Sequence, residues 1–169
     1  ISVCTVIGFP LGQNTIDVKE YEAINAIQNG ADEIDMVVNI AAIKDGKFGY
    51  VKKEIETVRD SVEGKILKVI IETCYLTSDE IIKMTEICNE TFVNFIKTST
   101  GFGTSGAKEE DVRLMNEHKM DYLEIKASGG IKNYDDAIKF IEAGATRLGT
   151  SSGVAIMNGC THKNCECEE

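Results

Sequence analysis

Two absences in this 169-residue chain each close off a class of protein. No apolar run approaches the ~20 residues that a membrane-spanning helix needs. Positive charge is scarce. Eighteen Lys and Arg stand against 28 Asp and Glu, a formal net charge of −10, whereas a protein that lives on nucleic acid needs clustered cations to hold the phosphate backbone. A single Gly-x-Gly-x-x-Gly run, Gly101 to Gly106, follows the strand-like stretch 92–98; alone it is weak evidence for the dinucleotide-binding form of an open α/β sheet. No signal peptide is visible, and no low-complexity linker divides the chain. A soluble, cytosolic, single-domain protein is expected. A small phosphorylated substrate stays compatible with the charge, because a pocket can be locally positive in an acidic protein. The chain opens at Ile1 directly into a strand-like stretch, which suggests a chain cut or processed at its N-terminus.

Other missing patterns narrow the chemistry. Of the six cysteines, Cys4, Cys74 and Cys88 lie in or beside apolar stretches, where a small hydrophobic thiol is the expected role. Cys160, Cys165 and Cys167 sit with His162 in a polar tail, but without the paired Cys-x-x-Cys of a zinc site, so no metal is expected. The two histidines, His118 in a polar helix end and His162 in the tail, neighbour no strained nucleophile turn, which argues against a Ser-His-Asp reading.

What is present is a regular alternation. Short β-branched runs over 3–7, 33–38, 67–72, 92–98, 122–126 and 146–149 recur every ~25–35 residues, the length of a strand plus a crossover helix. Between them the apolar period becomes helical, with Val51, Ile55, Val58 and Val62 on one face and Ile81, Met84 and Cys88 on another. Thr77 to Glu80 reads as a capping box, and Asn133 with Asp136 as a weaker one. Gly30 and Gly144 fall where a helix ends in a left-handed residue. Continuous apolar strands joined by helices predict a parallel α/β sheet covered on both faces. An open doubly wound sheet and a (β/α) barrel both fit; charges at several strand ends favour the barrel, which gathers its active site from many strands.

Three charged residues occupy strand positions that should be apolar: Asp35, Lys97 and Lys126. A buried unpaired charge is costly, so it persists when paired, at a wet strand end, or functional. A lysine amine attacks a carbonyl only when neutral, and a second ammonium and an apolar wall both favour that form. The iminium it forms withdraws electrons, so a neighbouring carbon–carbon bond can break or form, with Asp35 shuttling protons. Structural salt bridges are the competing reading. Lys68 and Glu72 bracket one strand and are expected to pair with each other or to line the same cavity. Gly-rich turns follow Lys97 (Ser99 to Gly103), Lys126 (Ser128 to Gly130) and the last strand (Gly149 to Gly153). Such turns bring backbone N–H groups close to an anion, and the last two match the phosphate position of barrels.

Six ordered segments, Val3 to Gly12, Ala31 to Val37, Leu67 to Thr73, Phe95 to Phe102, Lys126 to Ile131 and Gly149 to Gly153, resemble the 2-deoxy-D-ribose-5-phosphate aldolases. The resemblance reaches about Ile156 and divides the chain into a barrel domain over 1–156 and a polar Cys/His-containing tail over 157–169. It implies a (β/α)₈ barrel and a class I, metal-independent lyase. Such an enzyme would split 2-deoxy-D-ribose 5-phosphate reversibly into D-glyceraldehyde 3-phosphate and acetaldehyde. It places the Schiff base on Lys97, the perturbing lysine at Lys126 and the proton-relay carboxylate at Asp35. It places phosphate contacts around Gly129, Gly130, Gly149, Ser151 and Ser152, with Thr100 in the substrate pocket. It requires no cofactor, and it implies a small phosphorylated sugar as partner, with assembly into a homo-oligomer a further expectation. The family begins about two βα units earlier, with an Asp-His-Thr motif near the active site. About six units are therefore expected here, with two open sheet edges. A sugar-phosphate-binding or assembly subunit without turnover is the alternative.

Overall fold

The computed structural model describes residues 1–160, the side chain of Cys160 excepted; His162, Cys165 and Cys167 lie outside the described residues. Six strands, β1 (Cys4–Ile7), β2 (Glu33–Val37), β3 (Ile66–Ile70), β4 (Phe95–Lys97), β5 (Glu124–Ser128) and β6 (Arg147–Gly149), form one sheet in chain order. Every neighbouring pair is parallel. The crossovers carry α1 (Ile16–Gln28), α2 (Ile40–Lys44), α3 (Phe48–Ser61), α4 (Ser78–Glu90), α5 (Glu109–His118) and α6 (Tyr134–Glu142), and α7 (Gly153–Cys160) follows β6. α7 runs across the 156/157 division drawn from the sequence. No described helix is long and apolar enough to cross a membrane.

Local chemistry sets these boundaries. The Thr77 hydroxyl accepts from the Glu80 N–H at 3.3 Å, and the Glu80 carboxylate accepts from the Thr77 N–H at 2.8 Å, closing the expected capping box of α4. The Asn133 side chain accepts from the Asp136 N–H at 2.8 Å and caps α6. α1 and α6 end alike. Gly30 and Gly144 have φ of +97° and +113°; the following alanine N–H groups, of Ala31 and Ala145, donate back to the Ala26 and Phe140 carbonyls. That is the Schellman arrangement, in which a left-handed glycine lets the chain turn from helix into strand.

The two faces of the sheet differ in kind. Ile34 and Met36, Leu67 and Val69, Ile96, and Ile125 and Ala127 alternate outward and pack on Val51, Ile55, Val58, Ile81, Met84, Val112 and Met115 of the helices. The residues between them point the other way, and they include Glu33, Asp35, Lys68, Lys97, Lys126 and Arg147. The expectation of a sheet with apolar cover on both faces is therefore corrected. One face carries the core and the other is a charged inner wall.

That wall is concave. Arg147 on β6 donates to the Glu33 carboxylate on β2 at 2.7 Å, although four strand spacings separate β2 from β6, about 19 Å in a flat sheet. Only a curled sheet, with the strand tilt of a barrel, brings them together. Among the described residues β1 and β6 each pair with a single strand, so the arc remains open.

Candidate active site

Asp35 is the centre of the inner wall. It is 2% exposed and touches three ammonium groups. Its Oδ2 accepts from Lys97 Nζ at 2.7 Å and from Lys126 Nζ at 2.8 Å. Its Oδ1 accepts from Lys68 Nζ at 2.8 Å and from the Cys4 thiol at 3.2 Å. Burial pushes the Asp35 carboxyl upward, but the Lys97 charge and the hydrogen bonds from Lys126, Lys68 and Lys97 outweigh it and hold Asp35 well below the usual carboxylate range. At neutral pH Asp35 is therefore a carboxylate.

Lys97 is displaced in the opposite sense. Burial favours its neutral form and the Lys126 charge adds to that; Asp35 pulls the other way, and the net direction is downward from the ordinary lysine value. Lys97 and Lys126 are direct cross-strand partners, so their like charges are fixed side by side by sheet register. This is the environment that favours a neutral, nucleophilic amine.

Lys97, Thr100, Lys126, Gly129, Gly130, Gly149, Ser151 and Ser152 line one cleft of about 750 Å³. Asp35 lies beneath its floor. Gly129 and Gly130 have φ of +86° and +83°, a left-handed pair that folds the backbone over the strand end. Gly106 packs so tightly on this turn that a Cβ there would lie 2.3 Å from the Gly129 carbonyl oxygen. Some hydroxyls near the cleft are committed to structure. Ser128 Oγ donates to the Ser99 carbonyl at 2.7 Å, Thr98 Oγ1 donates to the Ser128 carbonyl at 3.2 Å, and Thr150 Oγ1 donates to the Ile131 carbonyl at 2.6 Å.

Three features escaped the sequence reading. Lys68 and Glu72 do not pair. Lys68 binds Asp35 and Glu33, the latter at 2.5 Å. Glu72 is buried with a left-handed backbone, φ +53°, and accepts from the Thr100 N–H and hydroxyl. Register explains the first correction, because Lys68 stands directly beside Asp35. Cys4 is likewise no apolar filler: the residue is exposed while its thiol faces Asp35, and partial burial of the thiol together with the Asp35 charge raises its pKa. Lys132, unremarked in the sequence, lines the glycine-rich end of the cleft. The run Gly-Gly-Ile-Lys was its only signal.

The inner-wall network holds four cations (Lys68, Lys97, Lys126, Arg147) against two carboxylates (Glu33, Asp35). Fully ionised, that is a local charge of +2 in a chain of net −10. A curled parallel sheet with a lysine pair at its strand ends and a glycine turn beside it is the architecture of a barrel aldolase. Residues 2–159 match the model of the DeoC/LacD family aldolases, and the chain belongs to that family. The deoxyribose-phosphate aldolase of Carboxydothermus hydrogenoformans is 58% identical over 163 residues, 94% of this chain and 72% of that protein. The corresponding enzyme of Enterococcus faecalis is 54% identical, over 95% of this chain and 74% of its own. Among solved structures, an aldolase called QR15 superimposes with TM-score 0.91 at 45% identity, covering 95% of this chain and 73% of its own. A tetrameric deoxyribose phosphate aldolase from Aeropyrum pernix gives TM-score 0.87 at 30% identity, over 96% and 69%.

Proposed function

We propose that this chain reversibly cleaves 2-deoxy-D-ribose 5-phosphate to D-glyceraldehyde 3-phosphate and acetaldehyde, with Lys97 as the nucleophile. The observation that carries the reading is the convergence of Lys97 and Lys126 on one oxygen of Asp35 below a glycine-rich cleft. The neutral Lys97 amine adds to the C1 aldehyde of the open-chain sugar, and loss of water leaves an iminium. A base takes the proton of the C3 hydroxyl, the C2–C3 bond breaks, and its electron pair enters the iminium as an enamine. Glyceraldehyde 3-phosphate departs. Protonation at C2 and hydrolysis then release acetaldehyde and restore the amine. In this reading Asp35 and Lys126 pass these protons, directly or through water. The phosphate is assigned to the turns at Gly129, Gly130, Gly149, Ser151 and Ser152, with Thr100 beside the sugar.

Relatives bearing the name of this activity at 54–58% identity support the substrate. Self-association into a homo-oligomer is part of the same reading, supported by the tetrameric relative, and so is a cytoplasmic location. The test is borohydride trapping with deoxyribose 5-phosphate or acetaldehyde. A mass increment on Lys97 that is lost in Lys97→Ala is the expected result. No adduct on any lysine overturns the proposal and leaves a sugar-phosphate-binding subunit.

A further inference from the structure

Lys68 takes no part in the reaction as written, yet it is fully buried and sits against the catalytic carboxylate. Its ammonium bridges Glu33 at 2.5 Å and Asp35 Oδ1 at 2.8 Å. Glu33 is in turn held by Arg147, whose guanidinium lies 4.5 Å from the centroid of the Phe95 ring. The chain of contacts runs Arg147, Glu33, Lys68, Asp35, and it ends on the two lysines of the cleft.

Asp35 can rotate about its Cα–Cβ and Cβ–Cγ bonds unless something fixes it, and in this wall the one charged partner of Oδ1 is Lys68, with the Cys4 thiol beside it. From these contacts we propose that Lys68 is a positioning residue: it occupies Oδ1 of Asp35, so that Oδ2 alone is presented to Lys97 and Lys126. Lys68 also draws part of the Asp35 charge away from Lys97. One carboxylate divided among three ammoniums holds each less firmly than one divided between two, and Lys97 is correspondingly easier to deprotonate. The proposal rests on the reading of Lys97 as the nucleophile.

The ionisable groups facing this point from the packed strands are Cys4 on β1, Glu33 and Asp35 on β2, Lys97 on β4, Lys126 on β5 and Arg147 on β6. Burial pulls Lys68 toward neutrality, but its bonds to Asp35 and Glu33 outweigh that and its pKa is raised. It remains a cation throughout the working range, as an anchor must.

The test reads the Lys97 amine without needing turnover. The full chain, Lys68→Met and Lys68→Arg are labelled with trace acetic anhydride across pH, and acetylation of Lys97 is quantified by peptide mass spectrometry. In a folded Lys68→Met protein, the Lys97 labelling curve is expected to move up by about one pH unit, a loss of ~10-fold in labelling at neutral pH. Lys68→Arg, which keeps the charge and a donor to Oδ1, is expected to restore most of it. A Lys97 curve in folded Lys68→Met that superimposes on the wild-type curve overturns the proposal. If Lys68→Met does not fold, Glu33→Gln replaces it. Releasing Lys68 from Glu33 leaves it wholly to Asp35, so the Lys97 curve is expected to move down, and an unmoved or rising curve sinks the idea. A chain that labels as expected but forms no borohydride-trapped adduct would retain the role of Lys68 while the proposed reaction fails.

Discussion

Arg147 on the last strand and Glu33 on the second are joined at 2.7 Å, four strands apart in sheet order and four residues apart in height. Following the register from Arg147 through Lys126, Lys97 and Ile70 arrives at Val37, not at Glu33. The offset is the tilt of barrel strands, and the closeness is their curl. The same geometry brings Lys97 and Lys126 down to Asp35, two residues below Val37.

If curvature is set by the packed outer face, the Arg147–Glu33 bond is a trim and not the cause. Arg147 is more than a third exposed, and partly exposed pairs contribute little. Arg147→Met is expected to lower unfolding free energy in urea by about 1 kcal/mol or less. A loss above about 3 kcal/mol would show that the inner wall holds the curve.

Removing Lys126 tests the electrostatic part of the site. Lys97 is lowered first by burial and then by the Lys126 charge, so Lys126→Met should let the Lys97 pKa rise. The trapped adduct on Lys97 is expected to persist, formed more slowly at neutral pH and with its rate optimum moved to higher pH. An optimum that moves lower, or stays put, contradicts the like-charge account.

Asp35 links the site to acid stability. Its folded pKa lies below the unfolded value of about 3.9. A depressed carboxyl stabilises above its unfolded pKa, and that stability is lost as pH falls toward the folded one. Asp35→Asn also leaves three ammoniums without their common anion, and breaking a buried pair costs about 3–5 kcal/mol. The stability gap between wild type and Asp35→Asn, measured by denaturant titration, is expected to be constant from pH 7 to about pH 5 and to shrink below about pH 4.

A second buried pair makes the opposite case. Lys19 on α1 and Glu54 on α3 are both fully buried, 2.5 Å apart. Lys19 also donates to the Gly12 and Val37 carbonyls, and Glu54 accepts from the Asn39 N–H at 2.9 Å. Burial drives both members toward their neutral forms. Either single change, Lys19→Met or Glu54→Leu, should cost about 3–5 kcal/mol, and the double mutant distinctly less than the sum. Additive costs in the cycle would mean that the partners do not depend on each other.

Gly106→Ala probes the glycine-rich end of the cleft, where the phosphate is proposed to bind. The added methyl would meet the Gly129 backbone at 2.3 Å, so the turn over residues 129–130 must shift. With deoxyribose 5-phosphate, KM is expected to rise several-fold while kcat falls less, because the lysines sit on strands the change does not touch. A fall in kcat at constant KM would separate that turn from phosphate binding.

Much of this architecture was legible in the residues themselves. The six strands were placed because β-branched runs and helical apolar periods are local signals; the caps at Thr77 and Asn133 and the turns at Gly30 and Gly144 are read from a few neighbouring side chains. Lys97, Lys126 and Asp35 stood out because charge in a strand is expensive. What the sequence could not supply was who meets whom. Period 2 says that Lys68 and Glu72 share a face, but parallel register sets Lys68 beside Asp35, and the chain's turn after Ile70 carries Glu72 away to Thr100. Cys4 reads as an apolar residue until the curl of β1 beside β2 aims its thiol at a carboxylate. The positive inner wall of an acidic chain is decided the same way. Individual charges are a property of the sequence; their spacing to within hydrogen-bond distance is a property of the curved sheet alone.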